Sequence, residues 1–170
     1  MDLKDYKSAI TEYTKITLNP NHPLAFNCRG IAKNEMKNYK GAIADYSKAI
    51  ENDSKYNLAF KNRGLAKNDI KDYIGAIADY TKAIENDPDD CNAFKDRGDS
   101  KSNLSDYRGA IADYSNAIEL IKRYGFPEAY YSRGLLKIKI GQKDGGCMDL
   151  SKAGELGYKK AYEAIKKYCQ

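Results

Sequence analysis

The sequence predicts an all-α protein built from stacked helix pairs, and three observations predict it. The block from Tyr39 to Ile50 (YKGAIADYSKAI) returns at Tyr73 to Ile84 and again at Tyr107 to Ile118, in steps of 34 residues. A weaker copy, Tyr6 to Tyr13, precedes them by 33. A second motif runs between these blocks: Ala25 to Gly30, Ala59 to Gly64, Ala93 to Gly98 and Ala129 to Gly134, each ending in Arg-Gly. Within the first block Tyr39, Ala42, Ile43, Tyr46, Ala49 and Ile50 fall at three- and four-residue spacings, which makes one apolar stripe on a helix. Neither helix of a unit can bury its stripe alone, so the units must stack.

In chain order the spacing gives a half unit at 1–20, holding a second helix only. Full units follow at 22–55, 56–89 and 90–125, then a degenerate unit at 126–157 and a closing helix at 158–170. That makes about ten helices. Asn38, Asp72 and Asp106 stand just before the stripes, where a side-chain oxygen can cap free backbone N–H groups. Asn52-Asp53 and Asn86-Asp87 end them. The last step between Arg-Gly motifs widens to 36, because Ile121 to Pro127 holds two extra residues. In the degenerate unit Lys143 replaces the opening Tyr, Gly146 the Ala and Leu150 the second Tyr. The tail from Tyr158 to Tyr168 reads as an amphipathic helix through Ala161, Ile165 and Tyr168.

A 34-residue period with these positions resembles the tetratricopeptide repeat family. The matching ladders are Gly30, Gly64, Gly98, Gly134; Phe26, Phe60, Phe94, Tyr130; Ala9, Ala42, Ala76, Ala110; Tyr13, Tyr46, Tyr80, Tyr114; and Ala49, Ala83, Ala117, Ala153. Small residues let helix backbones approach, and aromatic rings fill the space between successive pairs. The resemblance implies a right-handed superhelical solenoid of antiparallel helix pairs. One position departs from it: where the family carries an aromatic three residues after the Gly, this chain has Lys33, Lys67, Lys101 and Lys137. The first half unit lacks its first helix, so the array is expected either to continue beyond this edge or to leave it open; the former is favoured.

Charge recurs as strictly as the apolar positions. Arg29, Arg63, Arg97 and Arg133 are each followed sixteen residues later by an acid: Asp45, Asp79, Asp113 and Asp149. This repetition predicts a partly buried ion-pair ladder rather than solvated surface charges.

Nothing in the sequence points to chemistry. His22, the single histidine, lies between Pro20 and Pro23 with no ligand-spaced partner. The chain has no phosphate-binding Gly loop, no GxSxG, no HExxH and no calcium-loop spacing, and most of its 15 tyrosines fall on packing ladders. An enzyme is not expected, and neither a cofactor nor a metal is implied. Four dispersed cysteines, Cys28, Cys91, Cys147 and Cys169, suggest reduced thiols rather than a disulfide framework. With no secretory pattern and no apolar run of about 20 residues, a cytoplasmic location without membrane insertion is expected. Net charge is +5, unevenly spread: residues 121–170 carry 11 Lys/Arg against 5 Asp/Glu, residues 1–120 carry 18 against 19. This basic end lacks a nucleic-acid recognition pattern, so nucleic acid is not the expected partner.

The resemblance further implies that the first helices line a concave groove that grips a peptide or helix of another protein. Its expected lining is Asn27, Ile31 and Asn34; Lys61, Leu65 and Asn68; Lys95, Asp99 and Ser102; and Tyr131, Leu135 and Ile138. Asn can donate to and accept from an extended backbone, Lys61 and Lys95 could meet carboxylates, and the last set is apolar. Four helices about 9–10 Å apart would floor about nine extended residues. The Lys and Asn pattern of the chaperone-tail clamp is incomplete here, because Leu65 stands one turn after Lys61. The alternative function is a structural module that stacks on copies of itself through the first helix.

Overall fold

Among the residues described by this computed structural model, 3–121 and 125–170, there are ten α-helices and no strand. The chain forms two compact units, Met1–Pro88 and Asp89–Gln170. The first holds α1 (Leu3–Ile16), α2 (Pro23–Glu35), α3 (Tyr39–Asn52), α4 (Asn57–Asp69) and α5 (Tyr73–Asn86). The second holds α6 (Cys91–Asn103), α7 (Tyr107–Leu120), α8 (Pro127–Lys139), α9 (Lys143–Glu155) and α10 (Lys160–Tyr168). The extra residues of the 121–127 stretch fall partly on 122–124, outside the described residues.

The main pairs are α2 with α3, α4 with α5, α6 with α7 and α8 with α9. Each is joined by a three-residue turn, too short for anything but reversal. The turn needs one residue in the left-handed region, and Lys37, Lys71, Ser105 and Gly141 supply it at φ of 60°, 64°, 63° and 88°. The residue after it donates its backbone N–H five positions back, as Asp72 does to Lys67. This closes the preceding helix. That residue also starts the next helix: Asn38, Asp72 and Asp106 accept from the backbone N–H of Gly41, Gly75 and Gly109. His22 works likewise for α2, its Nδ1 accepting from the Ala25 N–H. The lone histidine is therefore a helix cap.

The core is small residues against rings. Ala42, Ala76 and Ala110 are fully buried, as are Ala49, Ala83 and Ala117. Phe26 packs on Ala49 of its own pair and on Ala59 of the next, the wedge that lets α4 stack on α3. Within the second unit Tyr114, Ile118, Ala129 and Leu136 form the corresponding cluster.

The cysteine expectation is corrected. Cys147 in α9 and Cys169, just past α10, form a disulfide, while Cys28 and Cys91 are free thiols. Sequence spacing missed this because the bond depends on α10 folding back along α9. Tyr162 of α10 fixes that return by donating its hydroxyl to the Gly154 carbonyl, 2.9 Å.

Candidate functional site

Beneath the candidate face lies a repeated charged brace. Arg29 donates from Nε and Nη2 to both oxygens of Asp45, at 2.8 and 2.6 Å. Arg63 with Asp79, Arg97 with Asp113 and Arg133 with Asp149 repeat this fork-on-fork geometry at 2.7–3.0 Å. The four Asp residues are buried. Each accepts a second cation: Lys33, Lys67, Lys101 and Lys137 reach the same carboxylates at 2.7–2.8 Å. The lysines that replace the family's aromatic are therefore the third member of the brace. Two cations on one carboxylate let it be buried without losing its charge. The Arg plane also lies 5.5–5.7 Å from the ring of Phe26, Phe60, Phe94 or Tyr130. The remaining Nη1 reaches a hydroxyl on or just past the preceding helix: Thr17, one residue beyond α1, for Arg29, Ser47 for Arg63 and Ser115 for Arg133.

On top of this support the structure distributes the expected lining residues unevenly. In the first unit Ile31 and Leu65 are 38% and 47% exposed. Beside them Asn68 donates to the Tyr80 hydroxyl at 3.4 Å. Asn34 keeps its side-chain oxygen shielded from solvent with no hydrogen-bond partner. Lys61 is half-buried. Asn27 is a correction: it is 1% exposed and accepts from Asn62 Nδ2 at 3.0 Å, so it braces α2 against α4 instead of facing outward. Its register matches Lys61 and Lys95, but a short amide can turn inward where a long ammonium cannot.

In the second unit Lys95 is already engaged, with Asp99 at 2.8 Å and Asp96 at 3.3 Å. Burial pulls its pKa down, but the bonds and charges of these two carboxylates outweigh that and leave it above the ordinary lysine value. Asp99 in turn accepts from the Tyr114 hydroxyl at 2.6 Å. Burial first, and then the Asp99 charge, hold that phenol un-ionised. Lys95 is thus a poorer partner for an incoming carboxylate than its sequence position suggests. Asp99, Ser102 and Leu135 share the wall of a cavity of about 350 Å³. Tyr131, Leu135 and Ile138 are half-buried because α10 lies beside α8, with the Tyr131 and Tyr158 rings 5.0 Å apart. Among the described residues no cluster of His, Cys, Asp or Glu could hold a metal ion, and no helix is long and apolar enough to cross a membrane.

The sequence profile of the tetratricopeptide repeat matches residues 62–90, a stretch that contains Arg63, Gly64, Lys67, Asp79 and Tyr80. Among solved structures, a crystal structure of MamA superposes with a TM-score of 0.86 at 26% identity, covering 94% of this chain and 92% of that one. The chain thus carries a tetratricopeptide repeat at residues 62–90 and has the fold of a tetratricopeptide-type helical solenoid. A second MamA structure, residues 41 to the end from Desulfovibrio magneticus RS-1, gives a TM-score of 0.82 at 17% identity over 89% and 85% of the two chains. The first tetratricopeptide repeat domain of Spaghetti (RPAP3), bound to the HSP90 peptide SRMEEVD, gives 0.66 at 23% identity over 69% and 92%. These last two likenesses speak for the fold alone. No curated protein matches the chain by sequence.

Tetratricopeptide repeat proteins are in general non-catalytic scaffolds, and this architecture suggests a protein–protein interaction scaffold. Where the family pattern has an aromatic, this chain places the lysine of the brace. Two signals in the sequence could have found the rest of it. A hydroxyl follows each ladder tyrosine (Thr14, Ser47, Thr81, Ser115) in step with the arginines, and Lys95 and Asp99 stand at the i, i+4 spacing of a helix ion pair.

Proposed function

We propose that this protein holds a peptide or helix of a partner protein on the outward face of the first helices of its pairs. In the first unit the contact residues would be Ile31, Asn34, Lys61, Leu65 and Asn68; in the second, Asp99, Ser102, Tyr131, Leu135 and Ile138. The observation that carries the reading is the exposure of Ile31 and Leu65 at equivalent positions of α2 and α4. A partner side chain would cover both. The peptide seen on the Spaghetti (RPAP3) domain is a precedent for the mode in this fold, not for the ligand. Peptides selected from a random library against the whole protein, mapped by amide chemical-shift changes, should perturb α2, α4, α6 and α8. Selected peptides that shift only α3, α5, α7 and α9, or none at all, would overturn the reading.

A second reading is self-association through α1. None of its described side chains is fully buried, and Ile16 and Leu18 just at and beyond its end are 42% and 81% exposed. Sedimentation equilibrium showing a monomer at every concentration would end it. The Cys147–Cys169 disulfide sets the expected cytoplasmic location against an oxidising compartment. Alkylation of cellular protein decides between them: free thiols at both positions would support the cytoplasm, an oxidised pair the oxidising compartment.

A further inference from the structure

The cations of the second unit fall into two classes. Lys101 and Lys137 are spent on Asp113 and Asp149, Lys95 on Asp99 and Lys152 on Glu155. Among the described residues Lys159, Lys160, Lys166 and Lys167 form no ion pair, although all four sit on or beside one nine-residue helix whose single acid is Glu163. A helix that keeps four ammonium groups unneutralised carries a net attraction for anions that the rest of the unit has cancelled.

Those cations are next to apolar surface. Between α8 and α10 a cavity of about 330 Å³ is lined by Tyr131, Leu135 and Tyr168 together with Lys160, Lys167 and one acid, Glu163, which the two lysines outnumber. Leu135 and Tyr168 also belong to a second cavity of about 390 Å³, with Leu136, Ile138 and Lys139. The two hollows are therefore neighbours around one Leu–Tyr pair. Lys139 stands over the Tyr107 ring at 4.2 Å, its ammonium group making no ion pair. The wall is already assembled: the Cys147–Cys169 disulfide, the Tyr162 bond to Gly154 and the Tyr131–Tyr158 contact hold α10 in place before any ligand arrives. A preformed wall lowers the ordering cost of binding.

We propose that this α8/α10 face docks an acidic segment of a partner protein, one large apolar side chain entering between Leu135 and Tyr168 while flanking carboxylates meet Lys160, Lys167 and Lys139. The inference rests on the binding-module reading above and assigns the second unit its ligand chemistry. Charge complementarity selects an acidic occupant. The aliphatic floor of Leu135, Leu136 and Ile138 selects a protein segment over a phosphate backbone, which would gain only from the charges. Leu135 and Ile138 belong to the outward face of α8, so the site extends that face onto the closing helix.

The test is fluorescence anisotropy on the whole protein with a labelled probe peptide of sequence DELFED. The expected results are binding that weakens with added salt and a loss of about tenfold or more when the probe's Leu-Phe becomes Ser-Ser. Binding should also be lost in the double variant Lys160→Glu/Lys167→Glu, whose exposed positions should leave the circular-dichroism melt unchanged. The probe KRLFRK should not bind. Lys40→Glu in the first unit, an exposed position outside any proposed site, should leave the acidic probe's affinity within twofold, about the scatter of a remote surface change. No binding of DELFED, or equal binding by the double variant, overturns the inference. So would RNA or phosphatidylserine vesicles binding through the same lysines while the peptide does not. If library peptides still bind α2 and α4, only this inference has failed; if no peptide binds anywhere, the broader reading has failed with it.

Discussion

The pair α4–α5 and the pair α8–α9 carry the same brace on different packing. Arg63 and Lys67 hold Asp79 at 2.7 and 2.8 Å, and Arg133 and Lys137 hold Asp149 at the same distances. Around it almost everything else changes. In α4–α5 the Tyr80 ring fills the space beneath Gly64, where an added Cβ would come within 2.9 Å of the ring. In α8–α9 the filler shrinks to Leu150, and Ala gives way to Gly146, so the backbones close the gap themselves. A Cβ on Gly146 would lie 2.6 Å from the Gly134 carbonyl oxygen. Asp72 caps α5 whereas Gln142 makes no side-chain cap for α9, and the left-handed turn residue is Lys71 in one and Gly141 in the other. Caps and fillers are exchangeable in this chain when they change together. The buried carboxylate with its two cations is what persists.

The comparison can be broken most forcefully at the brace. Asp79→Ala and Asp149→Ala should each cost about 3–5 kcal/mol in urea unfolding, since each strands an Arg and a Lys under limited exposure. An unchanged midpoint in either would reduce the brace to a surface charge pair. Next comes the disulfide, which only the closing pair has. Cys169→Ser, or added reductant, should remove about 2–4 kcal/mol. The loss should appear as faster amide exchange in α10 and α9, with α4 and α5 unaffected. The glycine substitutions sharpen the contrast in packing. Gly146→Ala should cost about 1–3 kcal/mol, because the Gly134 carbonyl and the Ile138 backbone N, besides the Ile138 side chain, block the methyl group. The mirror change Ala76→Gly should cost about 1 kcal/mol through helix propensity; if Gly146→Ala were neutral, the close approach would be wrong. The smallest effect is in the turns: Lys71→Gly should raise stability by about 0.5–1 kcal/mol by relieving a left-handed side chain. Lys82→Gly, exposed inside α5, should do the opposite.

The sequence revealed those parts of the molecule that repeat. Thirty-four-residue recurrence placed the helix pairs, and the sixteen-residue interval from Arg to Asp named the residues that the structure brings together. Features without a repeat were opaque. Asn27 shares its register with two lysines, yet turns in to Asn62, because a short amide gains more from a buried partner than from solvent. Cys147 and Cys169 meet only because α10 returns along α9. Lys33 and its equivalents did repeat, but they were legible only as a departure from a family pattern. Their role emerges once the Asp carboxylate is seen to have an oxygen to share.

The reach of Arg Nη1 to a hydroxyl on the preceding helix has a consequence for how such a chain can grow. Arg63 finds Ser47, and Arg133 finds Ser115. In both cases the giver and the receiver sit at fixed places of the repeat, so copying such a unit in tandem adds a matched pair at once, and no neighbour has to be redesigned. Lengthening by duplication is then nearly free of compensating mutation. The closing helix breaks the series: Ile165 stands where its Arg would be and Lys166 where its Gly would be, and Ile165 shares a cavity wall with Ser151, the hydroxyl that would have received the Arg. A further copy stacked on α9 would need an Arg at 165 to engage.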